Sequence, residues 1–152
     1  MKNHSRVVKC HDYRWDGIEL KAYKTETTNF KDITRQSILG EGADDWELNM
    51  QTRYFEVAPG GYSSLETHRH PHSVIIIRGK GSVVLNDTVT DLELHDVVYV
   101  SPETLHQFHA DKGDWLGFLC IVDRYRDKPM VPSVERIDEV MRASAARTKI
   151  RL

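Results

Sequence analysis

The sequence predicts an all-β fold, a single barrel or sandwich of short strands with a short helix at its carboxyl end. Three observations carry this. Alternating or β-branched apolar runs recur at about ten-residue spacing, the pattern of sandwiches and barrels. Turn-forming clusters separate them, at Gly40-Glu41-Gly42, Pro59-Gly60-Gly61, Gly79-Lys80-Gly81, Asn86-Asp87 and His95-Asp96. Apolar residues spaced by three and four, the helical signature, appear only after Ser133.

Residues 1–17 read as a polar leader, and residues 18–57 as three strands. Ile18–Tyr23 alternates apolar and polar side chains, Thr34–Leu39 ends at the first glycine turn, and Met50–Val57 is expected to end at Pro59-Gly60-Gly61. Trp15 and Trp46 flank this region as packing lids. Residues 58–123 hold the core strands: the β-branched run Val74–Ile77, Ser82–Leu85 and Thr88–Leu94 about an Asn-Asp hairpin, Val97–Val100, a strand through His106, and Trp115–Val122. His95 is among the residue types that tolerate positive φ, which suits it to the turn before Asp96. Ser133 is a helix cap for residues 133–150, whose apolar Val134, Ile137, Val140 and Met141 would pack on the barrel or on a neighbouring subunit.

At 152 residues the chain is one domain, and its net charge of −2 carries no polyanion footprint, so nucleic acid is not an expected partner. Two cysteines, Cys10 and Cys120, make no disulfide framework or zinc ribbon and fit a reducing, cytoplasmic setting. The leader lacks the apolar segment of a signal peptide, and no apolar run approaches the ~20 residues that span a bilayer.

The chemistry concentrates in Glu66-Thr67-His68-Arg69-His70-Pro71-His72, three histidines and a glutamate in seven residues. Glu66 and His68 are two apart, so an extended chain turns both to one face. Pro71 forbids a helix and pushes His70 towards extended backbone. A further donor, His106, stands in the second motif, Pro102 to His109.

These two stretches resemble the motifs of the cupin superfamily, and specifically its small single-domain, cupin 2-type barrels. The family's first motif spaces a glycine, a His-x-His pair, a glutamate and a second glycine. Gly60, Glu66, His68, His72 and Gly79 fit that spacing, with the first histidine and the glutamate exchanged. The second motif maps onto His95, Ser101, Glu103, His106 and Ala110, of which only the histidine is kept. The resemblance implies a jelly-roll, or double-stranded β-helix, barrel and, in this register, one divalent transition metal (Fe, Mn, Ni, Co, Cu or Zn) on Glu66, His68, His72 and His106. The two exchanges together restore three histidines and one carboxylate. His70 stands as the alternative fourth ligand, with a place behind the ligands or a position facing solvent also open. A homodimer is implied by the resemblance as well.

Around that metal, Phe108 shares strand parity with His106, and Val74 and Ile76 share that of His72, so all three are expected to line the substrate pocket. Arg53 or Tyr54 faces inward from the preceding strand, and an inward Arg53 would anchor a carboxylate. His109 has the opposite parity to His106, Cys120 reads as a small buried hydrophobe, and His4 and His11 are uninvolved. The expected partner is a small enolic, keto-acid or aromatic substrate. Dioxygenase chemistry is implied by the resemblance alone. The alternatives are non-redox isomerase, decarboxylase or lyase chemistry on a sugar or keto acid, and a non-catalytic small-molecule binding module.

Overall fold

The computed structural model describes residues 2–25 and 27–152; Met1 of the leader lies outside them. In chain order the strands are β1 (Cys10–His11), β2 (Arg14–Trp15), β3 (Lys21–Ala22), β4 (Lys31–Leu39), β5 (Met50–Tyr62), β6 (His72–Gly79), β7 (Gly81–Leu85), β8 (Thr88–Leu92), β9 (Val97–Val100), β10 (His106–Ala110) and β11 (Leu116–Asp123). Two helices follow, α1 (Val134–Met141) and α2 (Ala145–Lys149). The strands from β3 onwards form one curled antiparallel sheet in the order β8-β7-β10-β5-β11-β6-β9, with β4 also on β5 and β3 on β4.

The predicted all-β architecture is what the residues form, and the boundaries differ where pairing partners decide. Only Lys21 and Ala22 of the expected Ile18–Tyr23 strand pair, because β4 is within reach only at Arg35 and Thr34. Strand β5 does not stop at Pro59-Gly60-Gly61. It bulges there, so that Ile33 faces Val57 while Lys31 already faces Tyr62. Gly60 supplies the φ of +77° that the bulge requires, and Tyr62 then pairs with His109 of β10. The bulge thus carries β5 from one half of the curled sheet to the other.

The expected single helix over 133–150 is two. Ser133 caps α1 by accepting from the Arg136 N–H at 3.2 Å, but Arg142 adopts φ +45° and ends it, and Ser144 caps α2. Ile137, Met141, Ala146 and Ile150 pack with Leu65, Val84 and Leu105 on the outside of the sheet. Gln107 of β10 secures this tail by donating to the carbonyls of Ser63 and Arg151, 2.8 Å each, and accepting from the Arg151 N–H at 2.9 Å. On the other side the leader docks rather than trails. Gln36 bonds the backbone of Tyr13 and Trp15, Trp15 packs on Tyr54, and Arg78 lies between the rings of Tyr13 and Trp115. Trp15 is therefore the packing lid expected of it; Trp46, 62% exposed, is not.

The main core lies inside the curl, with Phe55, Val57, Val74, Ile76, Val100, Phe108, Leu116 and Phe118 buried together. Among the described residues, no helix is long and apolar enough to cross a membrane.

Candidate metal centre

Three strand ends and one loop meet at the mouth of this core. The loop leaves β5 through Ser63–Leu65 and runs beside β10. Glu66 and His106 exchange both backbone hydrogen bonds, 3.1 and 3.0 Å. That bridge brings the first-motif donors against the second motif. His68 and Glu66 turn to the same side, as extended backbone requires, and β6 begins with His72 facing them.

His68, His72 and His106 each offer a ring nitrogen within 4.8 Å of the other two, a cluster that can hold a metal ion. Their orientation is fixed from behind. The Nδ1 of His68 donates to the His70 carbonyl at 2.7 Å, and that of His106 donates to the Thr104 carbonyl at 2.8 Å. A carbonyl only accepts, so each Nδ1 carries the proton and each Nε2 presents its lone pair to the cavity. His72 Nδ1 lies 3.2 Å from the Cys120 sulfur, and its Nε2 lies 3.3 Å from His106 Nε2. Ligands about 2.1 Å from one ion stand roughly 3 to 3.5 Å apart, so the donor set fits a divalent metal. Burial, with His106 and His68 adding like charge, pushes His72 down to about 2. Burial also pushes His106 down to about 4 against the pull of Glu66. Both are neutral at pH 7, the form that ligates.

The other expected ligands stand apart from this triad. Glu66 Oε1 is 3.8 Å from His106 Nε2, and its Oε2 is 2.5 Å from Lys24 Nζ, so the carboxylate sits at the edge of the cluster, shared with a lysine. His70 also lines the cavity but does not converge with the triad. Its ring stacks flat on His68, centroids 3.7 Å apart, and its Nδ1 lies 2.9 Å from Asp127 Oδ1.

Of the expected pocket residues, Arg53 and Phe108 line the cavity, which holds about 430 Å³. Tyr54 does not; it lies on the opposite face of β5, where its hydroxyl donates to Glu56 beside Arg78. Val74 and Ile76 share the His72 face as expected but lie fully buried in the apolar core instead of on the cavity wall. His109 is outside the site.

Several lining residues escaped the sequence reading. Cys120 is buried, but its sulfur faces the cavity between His72 Nδ1 and Arg53 Nη2, each 3.2 Å away. Burial pushes its thiol up while Arg53 pulls the other way. Lys24, Arg35, Arg126 and Lys128 bring further positive charge, and Tyr23 and Phe118 further apolar surface. Strand parity could have flagged Cys120, which faces Arg53 across the β5–β11 ladder. No local signal marks Arg126 or Lys128.

Three converging imidazoles, two of them with their tautomers fixed by carbonyls, in the mouth of an antiparallel barrel define a β-barrel protein with a candidate metal site. Residues 53–122 match the cupin domain family. The 1-methylthio-D-xylulose 5-phosphate methylsulfurylase of Rhodospirillum rubrum is 42% identical over 123 residues, 80% of this chain and 76% of the relative. Two solved structures are similar throughout. A cupin 2 conserved barrel domain protein from Rhodopseudomonas palustris has 38% identity and TM-score 0.85, covering 97% of this chain and 100% of that one. A cupin 2 domain-containing protein from Halorhodospira halophila has 40% identity and TM-score 0.76, covering 97% and 96%. The chain belongs to the cupin family.

Proposed function

We propose that this protein is a metal-dependent enzyme acting on the methylthio-bearing carbon beside the carbonyl of a small phosphorylated ketose. The observation that carries the reading is the converging triad of His68, His72 and His106 at a cavity large enough for such a molecule. The substrate class comes from the R. rubrum relative, whose name specifies a 1-methylthio ketose 5-phosphate. The oxygenase expectation rested on resemblance alone and has no counterpart in that name. The sugar substrate of the non-redox alternative is kept without its redox neutrality. A thiolate takes the methylsulfur as a mixed disulfide, the C–S bond breaks, and the electron pair left at the carbon beside the carbonyl takes up a proton.

His68, His72 and His106 would hold the metal, and the ion would supply Lewis acidity at the ketose carbonyl. The remaining work falls to the chain. Glu66 has one oxygen on Lys24 and the other towards the triad, so it is the group to carry a proton at the carbon next to the carbonyl. Tyr23, Phe55, Phe108 and Phe118 wall the cavity and keep water from that carbon.

The test is incubation of the purified protein, loaded in turn with Mn, Fe, Co, Ni or Zn, with 1-methylthio-D-xylulose 5-phosphate under argon, with and without an added thiol as methylsulfur acceptor. Loss of the substrate's methylthio proton resonance is expected without oxygen and only when the thiol is present. No turnover with any metal, or turnover only when oxygen is admitted, overturns the reading.

A further inference from the structure

We propose that Arg35, Arg53 and Arg126 form a phosphate-binding subsite on the wall of the cavity, joined to the imidazole triad through Cys120. The inference rests on the reading above for the identity of the whole substrate, but its charge argument stands on the cavity itself.

The three guanidinium groups come from separate segments. On the paired strands β4 and β5, Arg35 faces Phe55 and Arg53 faces Ser37. The two arginines are diagonal neighbours on one face, a separation of about 7–8 Å that long side chains cross. Arg126 reaches the same cavity from the segment after β11, where it donates to Gln51 Oε1 at 2.9 Å and to the Asp123 carbonyl at 3.1 Å. Arg53 donates to the Cys120 sulfur and its guanidinium rests 4.9 Å from the Phe55 ring centre. Among the described residues, none of these three guanidinium groups spends its charge in a carboxylate salt bridge.

The nearby acids are already matched: Glu41 Oε2 lies 2.9 Å from Lys21, and Glu66 is on Lys24. Burial and then the like charge of Arg53, with Arg35 behind it, depress Arg126 against the pulls of Cys120 and Glu41. Three lining atoms are buried with no partner among the described residues: Arg35 Nε, Arg53 Nε and Thr27 Oγ1. Buried donors left without acceptors are costly, and clustered like charges raise that cost. An anion relieves both. A phosphate, with close to two charges and three acceptor oxygens, answers several guanidinium forks at once, whereas a monocarboxylate answers one.

The placement also sets the direction of the substrate. Cys120 lies 3.2 Å from both Arg53 and His72, so the anion end and the triad end are separated by one thiol. A short phosphorylated ketose bridges them, its phosphate on the arginines and its carbonyl at the imidazoles.

The experiment is calorimetric titration of the metal-free full chain with inorganic phosphate, xylulose 5-phosphate and xylulose. Wild type is expected to bind the two phosphate probes and not the free sugar. Arg53→Gln and Arg126→Gln are each expected to weaken phosphate binding at least tenfold with melting temperatures unchanged. Arg53→Lys, which keeps charge and loses the fork, should fall between. His106→Gln should bind phosphate as wild type does. Phosphate affinity unaltered in both glutamine variants, equal binding of free xylulose, or acetate competing as well as phosphate would each overturn the subsite. Arginine-dependent phosphate binding in a protein that leaves the methylthio ketose untouched would uphold the subsite and sink only the reaction assigned above.

Discussion

Asp127 Oδ1 accepts a hydrogen bond from the His70 backbone N–H at 2.9 Å and lies 2.9 Å from the same residue's Nδ1. Its Oδ2 accepts from the Arg69 N–H at 2.9 Å, and these donors, the Arg69 amide first, hold the carboxyl below its usual range. One side chain from beyond β11 therefore clamps the turn that carries His68, whose Nδ1 leans on the His70 carbonyl.

Removing that clamp should loosen the triad without dissolving the barrel. Asp127→Ala is expected to weaken metal binding by about 10–100-fold, the usual effect of losing an outer partner of a ligand. Asp127→Asn, which keeps one acceptor, should recover part of it. Titration against a chelating dye reads the affinity, and a wild-type value for Asp127→Ala would show that the turn holds itself.

The ligand set predicts a split among variants. His72→Ala and His106→Ala each remove one of three converging donors and should be purified with little or no metal. Glu66→Gln keeps the triad intact, so it should retain near-stoichiometric metal and lose turnover. Elemental analysis of the untagged proteins decides between roles: metal lost from Glu66→Gln as fully as from His72→Ala makes the carboxylate a ligand.

Much of this was legible because it is local. The spacing of Gly60, Glu66, His68, His72 and Gly79 pointed to the loop and to the strand that carries the triad's middle member. His95 and Glu103, which stand where the cupin second motif has its two glycines, both keep a left-handed backbone, with φ of +75° and +65°. The rest was set by tertiary pairing. Whether Arg53 or Tyr54 faced inward depended on register with β4 and β11, which strand parity does not carry from one strand to the next. Asp127, Arg35 and Arg126 reach the site from segments whose local sequence resembles any polar turn or strand. Arg142 broke the tail helix with no proline or glycine to announce it.

Gly79 marks a position where backbone geometry admits no side chain. Its φ is +68°, and a Cβ there would fall 1.6 Å from the Trp115 carbonyl oxygen, a fixed backbone atom. Strands β6 and β11 would have to part at Leu116, which pairs with Gly79. Gly79→Ala is expected to cost about 3 kcal/mol or more, by strain at positive φ added to the clash. Urea denaturation measures it, and a loss under about 1 kcal/mol would mean that the strand ends slide apart freely.

Acid sensitivity should trace in part to His109, on the far side of β10 from the triad. Burial, with Lys149 and Arg151 adding like charge, pushes it down to about 4. Its Nε2 is buried with no partner among the described residues, and its ring packs against Tyr62 at 5.9 Å. The unfolded chain takes up this proton near pH 6.5 and the folded chain resists it until about pH 4. Between those values the unfolded state binds more protons, so stability falls as pH falls and levels off below about 4. At pH 5 the loss from this residue is roughly 2 kcal/mol relative to pH 7.5. His72 and His106, also depressed, steepen the same slope when no metal occupies them. His109→Phe keeps an aromatic partner for Tyr62 and removes the titration. Its unfolding free energy should therefore drop by about 2 kcal/mol less than wild type between pH 7.5 and pH 5. Parallel slopes for the two proteins in urea titrations at both pH values would remove His109 from the groups that set the acid sensitivity.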